Sequence, residues 1–107
     1  VNTKIKEKKM DKPKTIYIDD NVLRHEYGKD SLSLADMKKI VGGWIEYAHD
    51  DGETQIICNE EGKLFGLPYN EEATKLWYIK HHEKYGTPIH DVLVGDVLVL
   101  TGKARSI

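Results

Sequence analysis

A small α+β domain is the fold class this sequence predicts, and three observations carry it. Residues 40–70, IVGGWIEYAHDDGETQIICNEEGKLFGLPYN, hold three short apolar runs separated by the turn signals Asp51-Gly52 and Glu61-Gly62, spaced for hairpins rather than helices. Two further segments carry helix start and stop signals: Ser33 before a periodic run that closes at Gly42-Gly43, and Asn70 before one that closes at Gly86. The chain has 107 residues, enough for one modest core and too few for two. The expected architecture is a small antiparallel sheet of about five strands, a three-stranded meander at its centre, with two helices.

In chain order, residues 1–13 read as a basic arm and 14–107 as a single domain. The first fourteen residues hold six lysines against Glu7 and Asp11, a charge of +4, so the remainder carries −6 to give the net −2. Such an arm is expected to be solvated and separable from the fold, although Ile5 in weakly alternating Thr3-Lys4-Ile5-Lys6 could begin a strand. Thr15-Ile16-Tyr17-Ile18 is β-rich and predicts the first core strand, closed by a turn at Asp19-Asp20-Asn21. His25 to Asp30 reads as a loop ending in a Gly28 reversal. From Ser33, Leu34, Met37 and Val41 fall at i, i+3 and i+7 with Ile40 beside them; Asp36 offers a variant of the capping box.

The meander follows. Residues 44–48 alternate, placing Ile45 and Tyr47 on one face and Trp44, Glu46 and Ala48 on the other. Residues 54–59 put Ile56 and Cys58 on one face and Ile57 on the other, and Lys63-Leu64-Phe65 is expected as the third strand, ended by Pro68. Asn70 caps a second helix over 71–85, in which Ala73, Leu76, Trp77 and Ile79 share one broad face. Residues 89–94 could be strand or loop, and 96–100, between Gly95 and Gly102, form a buried strand.

The motifs VGGWIE, CNEEGKLFGLPYN and GDVLVL together resemble a small family of uncharacterised proteins of bacterial phages, plasmids and integrated elements, known as a domain of unknown function. The resemblance spans roughly residues 16–102, the size of one small domain. It rests on Gly42-Gly43, on Asn59-Glu60-Glu61-Gly62-Lys63-Leu64 with Gly66-Leu67-Pro68 and Asn70, and on Gly95-Asp96. The helix-like segment 71–85 departs from the shorter link of the family. The resemblance implies a genetic setting and brings no activity with it.

Residue chemistry points to no catalytic centre. Cys58 lies mid-strand between apolar neighbours, without the helix N-terminus or cation that lowers a thiol pKa, and is expected to be a quiet core residue. His81-His82 diverge by about 100° on a helix, unlike the i, i+4 pair of a zinc protease, so no metal is expected. The carboxylates of Asp50-Asp51-Glu53, Glu60-Glu61 and Glu71-Glu72 sit in turns or at a helix start. The phosphate-binding patterns GxxxxGK[ST] and GxGxxG and the hydrolase elbow GxSxG do not occur, and no cofactor is expected.

The candidate binding residues are Asn59, Glu60, Pro68, Tyr69 and Asn70, which a turn and a loop could bring to one edge of the sheet, or which could serve only to shape those turns. The functional expectation is a non-enzymatic binding or modulator protein of a phage or mobile element, cytoplasmic, contacting a protein partner. A homo-oligomer is an open possibility; neither nucleic acid nor a membrane is the expected partner. No apolar run approaches the roughly 20 residues that cross a bilayer, and a single cysteine suits a reducing compartment. The alternative is a binder of a nucleotide-like small molecule in a pocket at an oligomer interface, using Trp44, Tyr69 or Trp77 for stacking.

Overall fold

A computed structural model describes residues 12–106. Strand β1 (Thr15–Ile18) is followed by helices α1 (Asp20–Glu26) and α2 (Leu34–Val41), strands β2 (Ile45–Asp50) and β3 (Thr54–Asn59), helix α3 (Glu71–Tyr85), strand β4 (Val97–Thr101) and a 3₁₀ turn (Gly102–Ala104). The four strands form one sheet in the order β1-β4-β3-β2. β1 runs parallel to β4, with Thr15 opposite Val97 and Ile18 opposite Leu100. The β3 pairings with β2 and β4 are antiparallel.

The central strands are buried on both faces, which is why they read as continuous apolar runs. Ile57, Leu98 and Leu100 face one core, completed by Ile18, Leu23 of α1, and Met37 and Val41 of α2. Ile56, Cys58, Val97 and Val99 face the other, under Ala73 of α3 and Leu93, with Leu76 and Trp77 packed at its margin. Helices thus lie on both sides of a mixed sheet, as two-sided burial of β3 and β4 demands.

Much of the local punctuation behaves as its chemistry dictates. Ser33 and Asp36 form a reciprocal capping box at α2, and Gly42 ends that helix at φ 82° with its N–H on Lys38 O. Asn70 caps α3, Gly86 stops it at φ 70°, and α3 covers 71–85 as expected. β3 coincides with 54–59.

Several expectations are corrected. The sheet has four strands, one pair of them parallel, and there are three helices rather than two. The meander loses its third strand because Lys63-Leu64-Phe65 lies in consecutive turns: Gly62, Phe65, Gly66 and Leu67 donate their N–H groups to Asn59, Glu61, Lys63 and Gly62. A backbone so bonded to itself has little left for a ladder, and β4 from the far end of the chain occupies that side of β3. The Asp19-Asp20-Asn21 turn is a helix start instead, Asp19 Oδ1 accepting from Val22 N at 2.9 Å, and α1 takes in the beginning of the expected 25–30 loop. Asp and Asn suit turns and N-caps alike, and the seven residues of α1 are too few to display a period.

In β2 the pairing shifts register between Tyr47 and His49, so Ala48 is an extra residue and His49 turns inward. On α3, Ile79 is exposed rather than core-facing. Residues 89–94 are loop, with one bridge from Val94 to Tyr69. The basic-arm expectation for 1–13, and the Ile5 strand within it, fall almost entirely outside the described residues.

Candidate functional site

The turn leaving β3 and the loop before α3 are joined where Leu67 N donates to Gly62 O, and a buried asparagine anchors each of them to the rest of the fold. Asn59 is 6% exposed; its Nδ2 donates to Val41 O at 3.2 Å, and its Oδ1 accepts from Glu61 N at 2.8 Å. Gly43 must be glycine for this contact, since a Cβ there would stand 2.9 Å from Asn59 Nδ2. Asn70, 1% exposed, uses its full hydrogen-bonding capacity. Its Oδ1 accepts from Ala73 N at 2.9 Å and Thr15 Oγ1 at 3.1 Å, and its Nδ2 donates to Lys14 O at 3.1 Å and Gly95 O at 2.9 Å. One side chain therefore ties together the chain before β1, the start of α3 and the approach to β4.

Leu67 fastens the loop between them. Its Cδ1 lies 3.4 Å from where a Cβ on Gly62 would be and 2.7 Å from one on Gly95, which also holds φ 74°. Gly95 N donates to Pro68 O at 2.7 Å and Leu67 N to Gly62 O at 3.0 Å. The loop is held by its backbone and by one inward leucine. Outside, beside the charged Glu60 and Lys63, it presents apolar side chains: Leu64 is 78% exposed, Phe65 63% and Tyr69 52%.

The structure divides the expected site residues into two groups. Asn59 and Asn70 point inward and position the backbone, whereas Glu60, Pro68 and Tyr69 are exposed. The sequence pattern hides Leu64 and Phe65 as site residues, because a strand assignment half-buries them. The glycines that bracket them, Gly62 and Gly66, leave only three residues between, a spacing that signals a reversal.

Beside the loop lies a cleft of about 420 Å³. One wall is the Lys12-Pro13-Lys14 segment, a second is the C-terminal turn of α2 from Lys39 to Gly42, and a third is Phe65, Leu67 and Pro68 with Gly95 and Asp96; Asn59 also reaches it. Among the described residues Lys12, Lys14 and Lys39 are its cations and Asp96 its carboxylate, which accepts from Lys14 N at 2.8 Å. A second hollow of about 70 Å³, between Glu46, Cys58, Glu60 and Lys63, is too small for more than water or a side-chain tip. Burial, and then the Glu46 carboxylate, push the Cys58 thiol up to about 11, so it is a thiol rather than a nucleophilic thiolate at neutral pH.

Elsewhere the titratable groups serve the fold. Burial alone would raise the Asp51 carboxyl, yet hydrogen bonds from His49 and from the N–H groups of Thr54 and Glu53 hold it far below the usual range. Among the described residues, no group of three His, Cys, Asp or Glu side chains could hold a metal ion. Trp77 packs at the edge of a core, and Trp44 lies under Lys38 Nζ, 3.6 Å from its ring centre. None of the described helices is long and apolar enough to cross a membrane.

No curated protein and no solved structure matches the chain. Residues 5–106 do match the family model of DUF3846, a domain of unknown function, and with nearly the whole chain inside that span the protein belongs to the DUF3846 family.

Proposed function

We propose that this protein is a non-enzymatic binding domain that contacts a protein partner through the 59–62 turn and the 62–70 loop. The single observation that carries the proposal is the exposure of Leu64, Phe65 and Tyr69 on a backbone pinned from within. Exposed apolar side chains gain most when a partner covers them, and a loop already ordered loses little entropy on binding. Tyr and Phe are also enriched at protein interfaces, where a rigid ring covers much area with few torsions to freeze. The buried, protonated thiol of Cys58 and the internally bonded carboxylate of Asp51 support a role without catalysis.

The resemblance of VGGWIE, CNEEGKLFGLPYN and GDVLVL to proteins of phages, plasmids and integrated elements is what supports a modulator role within such an element, acting in the bacterial cytoplasm. A nucleotide-like ligand stacked on tryptophan finds less support, because Trp77 packs at the core margin and Lys38 Nζ already lies over the half-exposed Trp44 ring.

The test is cross-linking capture from cells producing the full chain, beside a Leu64→Ser/Tyr69→Ser variant whose circular dichroism and melting match the parent. A partner recovered by the parent and depleted at least about tenfold with the variant is the expected result. Equal recovery by both proteins would sink the proposal.

A further inference from the structure

We infer that the part of the partner lodged beside this loop is an acidic stretch of polypeptide bearing an apolar side chain, seated in the cleft rimmed by Lys12, Lys14 and Lys39. The inference rests on the protein-binding reading above and names the chemistry of the partner. Three lysines from two stretches of the chain line one cleft, where the one carboxylate among the described residues, Asp96, already accepts a backbone N–H. Lys29, Lys63, Lys75 and Lys80 are each paired with a carboxylate. None of the three cleft lysines has such a partner among the described residues. The cleft is thus a positive spot on a chain whose residues beyond the first fourteen sum to −6.

Polypeptide fits it better than a polyphosphate chain. At physiological ionic strength charges sense one another over about 8 Å, so a short acidic segment feels the lysines, while an extended polynucleotide must also run over the acidic body. The α2 wall of the cleft ends in carbonyls, of which those of Lys39 and Ile40 receive no N–H among the described residues. Carbonyls at a helix C-terminus accept the N–H groups that a peptide backbone carries and a phosphate chain lacks. Exposed Phe65, with Leu67 behind it, supplies the apolar wall for one side chain of the segment.

The experiment uses the full chain and three fluorescein-labelled probes: a Glu-rich peptide of about ten residues with a central Leu-Phe, the same peptide with every Glu replaced by Lys, and an oligothymidylate of similar length. The Glu peptide is expected to bind, to weaken at least about tenfold from low to moderately high salt, and to weaken as much with Lys14→Glu/Lys39→Glu. Phe65→Ser should weaken it about threefold and Lys75→Glu, on α3, should leave it unchanged. Both lysines are exposed, and amide chemical-shift mapping on the unmodified protein gives a readout independent of any variant: shifts must include the 12–14 and 39–42 segments.

Absence of Glu-peptide binding, equal binding of the Lys peptide, tighter binding of the oligothymidylate, or indifference to the charge reversal would each overturn the inference. A captured partner lost by Leu64→Ser/Tyr69→Ser but kept by Lys14→Glu/Lys39→Glu overturns it while leaving the protein-binding reading intact; a partner kept by both overturns that reading itself.

Discussion

The two ends of β3 solve the same problem with different residues. At its start, the β2–β3 hairpin is closed by carboxylates: Asp51 Oδ1 accepts from Glu53 N at 2.9 Å and Thr54 N at 2.7 Å, and Asp50 Oδ1 accepts from Gly52 N at 3.1 Å. At its end, amides do this work, through Asn59 and Asn70. The side chains left over differ. The hairpin shows water its charged groups, whereas the far end adds Leu64, Phe65 and Tyr69 to its charged Glu60 and Lys63, beside a lysine-rimmed cleft. Polar turn residues are therefore poor markers of function at either end, since both sets are spent on backbone groups. The apolar side chains that the folded backbone does not use are the better marker.

Removing Asn70 should break the comparison most severely. Asn70→Ala strips four hydrogen bonds and leaves the carbonyls of Lys14 and Gly95 without that donor, at a cost of about 3 kcal/mol, or roughly 10–20 °C in Tm. Chemical denaturation of the variant measures it, and a loss below about 1 kcal/mol would show that the four bonds are not the clasp of this region. Next comes Gly95→Ala, which forces φ 74° on an alanine and drives its Cβ to 2.7 Å from Leu67 Cδ1. A cost of about 2 kcal/mol is expected, with amide exchange accelerated in the 62–68 turn more than in the hairpin.

The carboxylate end should be weaker and sensitive to pH. Asp51→Ala is expected to cost about 1.5 kcal/mol at pH 7. The folded Asp51 carboxyl titrates below its ordinary 3.8, so its contribution is complete above about 4 and declines as pH falls through the lower folded value. Stability curves of parent and variant should therefore run apart at pH 7 and converge toward pH 2. Parallel curves over that interval would assign the acid sensitivity to other groups. Smallest of all is the effect of Leu64→Ser on the free protein, within about 0.5 kcal/mol, because Leu64 is already in water. Unchanged melting together with altered partner recovery sharpens the contrast between residues that hold the loop and residues that it presents.

Short-range chemistry was readable from the chain alone. The Ser33/Asp36 box, the Gly42 and Gly86 stops, the Asn70 cap and the span of β3 each depend on residues within a few positions of one another, and each follows from propensity and hydrogen-bonding capacity. That Asn59, Pro68 and Asn70 belong to turns was equally legible. Tertiary structure alone decided what lies beside β3. The next apolar run in sequence, Lys63-Leu64-Phe65, competes for that place with β4, whose Val97, Leu98, Val99 and Leu100 can be buried on both faces and also pair with β1. A strand of four fully buried residues gains far more from leaving water than one whose Phe65 and Leu64 would have had to bury Lys63 with them. Once β4 takes the place, residues 63–65 are expelled into a turn, Leu64 and Phe65 face water, and the lysines of the 12–14 segment and of α2 are drawn to one cleft. No local pattern encodes that competition, because its outcome depends on the burial offered by residues more than thirty positions away.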